Sequence, residues 1–247
     1  MSHLDTAVSN NELAEVYKSQ GQYEEAEELH KKSLQIHKKI LGEIHLNTAT
    51  CYNNLANVYK NQKKFKEAEE LHKKSLQIKK KILGEDNSYV AQSYNNLAEV
   101  YMNQGKYKKA EELHKRSLQI YEKVLGEEHP DTAMSYNNLG NAYFNQGKYR
   151  EAKKMYEKSI QIKEKLLEKE HPSTAISYSC LAGIYRKAKE YIIALKYYLC
   201  SYKIYINRLG KNHPHTQIIY ESMKNTFLEW NPNDDFEQWL EEKMKEQ

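Results

Sequence analysis

The sequence predicts an all-α fold, an alpha-solenoid of stacked antiparallel helix hairpins, on three observations. First, one pattern recurs every 42 residues: Leu13, Leu55, Leu97, Leu139 and Leu181 keep that step, as do Tyr17, Tyr59, Tyr101, Tyr143 and Tyr185, and Ala26, Ala68, Ala110, Ala152 and Ala194. A fixed period of this length means stacked supersecondary units whose core grows with each copy. Second, apolar residues inside each unit follow the helical period, as Tyr94, Leu97, Ala98 and Tyr101 do at i, i+3, i+4 and i+7. Third, glycines such as Gly105 and Gly126 punctuate the unit where a helix must end, because glycine adopts the left-handed conformation without a Cβ clash.

The stretch Ser93 to Gly126 shows the unit in full. A first helix carries Tyr94, Leu97, Ala98 and Tyr101 and stops at Asn103-Gln104-Gly105. A second, longer helix carries Tyr107, Ala110, Leu113, Ser117, Leu118 and Ile120 and closes at Gly126. Small residues (Ala98, Ala110, Ser117) let the two backbones approach, while leucines and tyrosines fill the space beside them. The connectors, such as Gly126-Glu127-Glu128-His129-Pro130, set proline at the first helical position, where its missing N–H is not needed.

This pattern resembles the tetratricopeptide repeat. Leu97-Ala98, Tyr101, Gly105, Tyr107, Ala110 and Ser117 stand where that family keeps its leucine, small, aromatic, glycine, aromatic, alanine and small residues. The usual repeat has about 34 residues. The longer unit, with its NNLA opening and LGEEHPDTA connector, is similar to the 42-residue variety of kinesin light chains. The resemblance implies a right-handed superhelix with first helices lining the concave side. It covers nearly the whole chain: residues 1–230 read as five repeats plus the first helix of a degenerate sixth, and 231–247 as a C-terminal capping helix. Asp234 is a candidate cap for that helix, with Phe236, Trp239, Leu240 and Met244 on its apolar side.

Nine glycines and four prolines among long amphipathic segments fit an all-helical chain and exclude disorder. No apolar run is long enough to span a bilayer. Cys51, Cys180 and Cys200 sit in three phases of the repeat without a C-x-x-C pair, as expected of reduced thiols in a cytoplasmic protein. The net charge of +4 is uneven, with nine Lys/Arg against four Asp/Glu in repeat two, seven against two in repeat five, and an acidic end. No phosphate loop, HExxH or G-x-S-x-G motif is present. His30, His72 and His114 share one phase and read as packing residues, because repeats about 10 Å apart cannot share a metal ion. No enzyme, cofactor or metal is expected.

The candidate site is an asparagine series on the first helices. Asn54, Asn96 and Asn138 share one phase, mid-helix, where asparagine is a poor helix former. In the family that the sequence resembles, these positions contact an extended peptide. A carboxamide offers donors and an acceptor together, so it can clamp a backbone amide whatever side chain follows. Asn61, Asn103 and Asn145 belong to the same candidate site, although capping free carbonyls at the helix end is the stronger reading for these three. Asn57, Asn141, Lys60, Met102 and Phe144 would vary the lining: Met102 and Phe144 as apolar pockets, Lys60 and Arg186 as attractors of an acidic group. At repeat five Ser179 and Cys180 replace the asparagine pair, which centres the expected groove on repeats two to four.

The expected function is a noncatalytic scaffold that binds a protein or peptide segment. One alternative is nucleic-acid binding through basic repeats two and five, which the acidic first repeat and tail disfavour. Another is a docking or sensor domain of a larger protein. The first repeat starts almost at once, at His3, so that either its first helix tolerates an exposed flank, through which copies could self-associate, or the chain is cut from a longer array.

Overall fold

The computed structural model describes residues 3–166 and 170–246. Among them the chain forms twelve α-helices and no strand. Contacts gather into two units, Met1–Gly126 and Glu127–Gln247. The first unit contains α1 (His3–Ser19), α2 (Tyr23–Leu41), α3 (Leu46–Asn61), α4 (Phe65–Leu83), α5 (Ser88–Asn103) and α6 (Tyr107–Leu125). The second contains α7 (Pro130–Asn145), α8 (Tyr149–Leu166), α9 (Pro172–Lys187), α10 (Tyr191–Leu209), α11 (Pro214–Trp230) and α12 (Phe236–Lys245). Within each unit every helix packs on the next, and the pairs inside one repeat pack most extensively.

Hairpin packing follows the small-and-large alternation. Ala14, Ala26, Ala56, Ala68, Ala98 and Ala110 are fully buried where first and second helices cross. In the first unit the serine of each second helix does more than leave room. Ser33, Ser75 and Ser117 donate to the carbonyls of Ala7, Ala49 and Ala91, at 2.8, 2.7 and 2.8 Å, and so fix each hairpin with one buried hydrogen bond.

In the phase of Leu13, Leu55 and Leu97 of the first unit and Leu181 of the second are buried beside a preceding repeat of their own unit, whereas Leu13 is 45% exposed. Val16 is likewise 49% exposed, against full burial of Val58 and Val100 in its phase. The first repeat thus has these two apolar positions open.

Helix ends are built from a recurrent set of groups. Gly105 and Gly147 turn the hairpins with φ of 71° and 75°, and Lys63 and Lys189 adopt the same left-handed conformation in repeats two and five. At helix starts the connector histidine is itself the cap: the Nδ1 atoms of His45, His129, His171 and His213 accept from the backbone N–H two residues on, at 3.1 to 3.2 Å. Asn87 does the same for α5. Pro130, Pro172 and Pro214 then open α7, α9 and α11.

The end of the chain corrects one expectation. Asp235, not Asp234, caps α12, its Oδ1 accepting from Glu237 N at 2.8 Å and Gln238 N at 3.2 Å. Asp234 instead accepts from the Asn231 side chain, one residue too early to reach the first free N–H groups of the helix. Phe236 and Leu240 are buried against Tyr198, Tyr202, Tyr205 and Phe227, with Trp239 and Met244 packed at the edge. The tyrosine cluster of α10 is therefore core beneath the last helix.

Candidate peptide-binding face

On an α-helix, residues at i, i+4, i+7 and i+11 share one face. On α5 these are Gln92, Asn96, Glu99 and Asn103, all exposed or half-buried, while Tyr94, Leu97, Ala98 and Val100 are buried. The same face of α3 carries Thr50, Asn54, Asn57 and Asn61, and that of α7 carries Met134, Asn138, Asn141 and Asn145. The first helices α3, α5 and α7 thus keep one accessible row each, polar except for Met134.

In the first unit the carboxamides are linked. Asn96 Nδ2 donates to Asn53 Oδ1 at 2.7 Å, and Asn53 Nδ2 lies 3.5 Å from Asn54 Oδ1. The result is an amide chain from α5 to α3 that holds Asn54 and Asn96 side by side. Asn96 keeps its Oδ1 and a second N–H outside that bond. Lys60 is paired with Glu99 on the next first helix, and Met102 packs at the edge of the Leu97 core. Asn57 is half-buried and Asn61 exposed. Asn103 Nδ2 donates to the Glu99 carbonyl at 2.9 Å, satisfying a helix-end acceptor.

In the second unit Asn138 is half-buried on α7. Asn141 is engaged from below: its Oδ1 accepts from Tyr156 Oη at 2.7 Å and from Cys180 Sγ at 3.6 Å. Asn145 donates to the Asn141 carbonyl at 2.8 Å, as Asn103 does one repeat earlier. Phe144 packs edge-on against Tyr149, with ring centroids 5.4 Å apart.

The neighbouring asparagine phase serves the interior. Asn11 Oδ1 accepts from His30 Nδ1 at 2.9 Å, and Asn95 Oδ1 from His114 Nδ1 at 2.8 Å. Asn137 accepts from Ser177 Oγ at 3.0 Å. In repeat two Asn53 has turned to Asn96, and both nitrogens of buried His72 are left without a hydrogen bond. Burial holds the imidazoles neutral, pushing His72 down to about 3 and His114 to about 4. Two lysines are also buried without a carboxylate. Lys79 donates to Ser93 Oγ at 3.1 Å, and Lys163 to Ser177 Oγ at 2.9 Å and the Ser173 carbonyl at 2.8 Å. Desolvation lowers both, Lys163 to about 8.

Comparison with known proteins now adds to this geometry. Profiles described as tetratricopeptide repeat match residues 5–81 and 89–165, and a second profile of that description matches 174–215. The chain belongs to the tetratricopeptide repeat family. Its repeats are of the kinesin-light-chain type. A crystal structure of nearly identical TPR-like repeats from a putative kinesin light chain of Podosopora anserina is 30% identical, with a TM-score of 0.70 over 85% of this chain and 99% of that one. BtubC (BKLC) from P. vanneervenii is 24% identical, with a TM-score of 0.70 over 82% of this chain and 80% of that one, a likeness of fold. A signal transduction ATPase with a tetratricopeptide repeat sensor from Pyrococcus horikoshii shares the fold at 20% identity and a TM-score of 0.69, over 91% of this chain but 35% of that one. A search of curated proteins gave no match. No helix among the described residues is long and apolar enough to cross a membrane.

The repeat pattern alone does not tell the two asparagine phases apart. Their difference lies in what the second helix sets beneath them: His30 and His114 reach Asn11 and Asn95, one position before Glu12 and Asn96. The burial of Lys79 and Lys163 escaped sequence reading, and Lys79, counted among the basic residues of repeat two, is withdrawn from any nucleic-acid surface; both stand out as cations in the phase that holds His37, Tyr121 and Tyr205 in other repeats.

Proposed function

We propose that the chain is a noncatalytic interaction scaffold that binds an extended segment of a partner protein on its first-helix face. The reading is carried by one observation: in repeats two to four the mid-helix asparagines of one phase, Asn54, Asn96 and Asn138, stay half-open while the leucines beside them are buried. A core has no use for such residues, and asparagine lowers helix propensity. Each carboxamide–backbone bond contributes only about 0.5 to 1.5 kcal/mol, so several in register are needed, and the repeat supplies them. The Asn54–Asn53–Asn96 link supports the reading, because side chains already held in one rotamer lose less entropy on binding.

A pull-down and peptide array with the wild type beside the Asn96→Ala/Asn138→Ala double variant tests it. Binding should fall about tenfold or more with the helical signal and melting temperature nearly unchanged. Undiminished binding, or loss of folding in parallel with loss of binding, would remove these residues from the site.

A further inference from the structure

Within the second unit the first-helix face opens into a cleft of about 400 Å3, bounded by Phe144 on α7, Gly183 and Arg186 on α9, Tyr198 on α10 and Glu229 on α11. Its origin is a missing side chain. The phase that carries Asn57, Glu99 and Asn141 in earlier repeats is glycine at 183. A Cβ built there would meet only the Tyr198 hydroxyl, at 3.9 Å, so nothing fills the space above. In repeat four the corresponding Tyr156 hydroxyl is taken by Asn141. With glycine in that place, the Tyr198 hydroxyl is left beside the Arg186 guanidinium.

Arg186 already holds a carboxylate. Its Nε lies 3.2 Å from Glu229 Oε2 and its Nη2 is paired with Glu229 Oε1, a two-pronged geometry suited to any carboxylate. The pair is 31% and 44% exposed, and an ion pair this open to water is weakly held. Lys187 and Lys189 also line the cleft, so three cations face one acid. Seven residues before Gly183, on the same face and about 10 Å away along the helix, Ile176 is 44% exposed. Met134 and Ile218, of the same phase, are 46% and 58% exposed. The second unit therefore joins an open apolar row to a basic cleft, a spacing that about three residues of extended chain would bridge.

We propose that this cleft is a carboxylate pocket, filled in the free chain by Glu229 as an internal stand-in. A partner's Asp or Glu side chain exchanges with Glu229 on Arg186, while an apolar residue about three positions away rests on Ile176. The proposal rests on the peptide-binding reading and names the chemistry of the segment that the second unit takes.

The test is selection from a pool of twelve-residue peptides, each position drawn from Ile, Leu, Ser, Asn, Gln, Glu and Lys, on the immobilised full chain, followed by sequencing and titration of the winners. Glu should be enriched over Gln on the wild type, and Arg186→Gln should abolish that preference. Glu229→Gln, which frees the guanidinium, should tighten the acidic winners by about two- to fivefold. A gain of this kind cannot come from misfolding. Acid preference untouched by both variants would overturn the proposal. Winners without acid preference that still depend on Asn96 and Asn138 would overturn it while leaving the groove reading intact. Retention of no peptide above a blank support would overturn both.

Discussion

The two units share one hairpin and differ in what two of its phases carry. Beneath the first helices the first unit buries imidazoles, His30, His72 and His114, where the second unit buries phenols, Tyr156 and Tyr198. On the open face the phase that reads Val8, Thr50 and Gln92 in the first unit reads Met134, Ile176 and Ile218 in the second, so only there is it apolar throughout. Backbone architecture is indifferent to these exchanges, because leucine, alanine, serine and glycine at fixed spacing already determine the hairpin. The difference teaches where a repeat protein is free to vary: one phase sets which titratable groups the unit buries, the other which side chains it leaves open on the first-helix face.

Each exchange has a structural consequence that mutation can probe. The largest expected effect is common to both units. Leu97→Ala and Leu181→Ala should each destabilise by roughly 2 to 5 kcal/mol in urea denaturation, since both leucines are buried against the preceding repeat of their own unit. Leu13→Ala, in the same phase without a covering repeat, should change stability by about 0.5 kcal/mol or less. Equal losses at Leu13 and Leu97 would mean that the phase is not buried by stacking.

Tyr156 has its own compensation, which Tyr198 beneath Ala182 does without. Gly140 stands where other repeats keep alanine, and a Cβ there would lie 2.5 Å from the Tyr156 ring. Gly140→Ala should therefore cost about 1 to 3 kcal/mol, and adding Tyr156→His, which restores the Ala/His pair of the first unit, should recover most of it. Additive losses in that cycle would separate the two positions.

Acid should distinguish the units next. Burial lowers the folded-state values of His30, His72 and His114 below the ordinary imidazole value of 6.5, the last two to about 3 and 4. Between 6.5 and those values the unfolded chain binds more protons than the folded one, so stability falls as pH drops through that window. Amide hydrogen exchange near pH 5 should show α1–α6 opening before α7–α11, and His72→Leu should reduce the difference. Lys163, lowered to about 8, acts at the other end of the scale. From about 8 up to 10.5 the unfolded lysine is the more protonated, so its contribution rises with pH, and Lys163→Met should flatten the alkaline side of the profile.

The smallest effect concerns the hairpin turns. Lys63 and Lys189 hold φ of 61° and 60°, where other repeats use glycine. Replacing either with Gly should stabilise by about 0.5 to 1 kcal/mol. A loss instead would show that their side chains earn their place through contacts at the turn.

Much of this molecule is legible in its sequence, because a repeat shows its own alignment. Hairpin boundaries, the burial of Leu97, Ala98 and Tyr101, and glycine at the turns all follow from period and residue type. The site is legible only in part. Asn95 and Asn96 are adjacent and chemically identical, yet one is turned to His114 and the other to Asn53. That choice depends on the second helix and the neighbouring repeat, which local propensity does not contain. The His-Pro connector reads as a helix start whose polar flanks can cap, but the accepting atom, Nδ1, emerges only from the extended backbone of His129, His171 and His213. The cleft over Gly183 was written as a departure from the pattern, a glycine in a phase of polar residues, but its meaning required the position of Tyr198.

Site-specific photo-cross-linking with the selected peptides tests most directly whether ligands use the first-helix face. A benzophenone side chain would be placed at Gln92 and Ile176 on first helices, and at Glu112 and Lys196 on the exposed sides of second helices. Adducts at Gln92 and Ile176, with little or none at Glu112 and Lys196, are the expected result. Adducts confined to the second helices, or spread equally over all four positions, would contradict it.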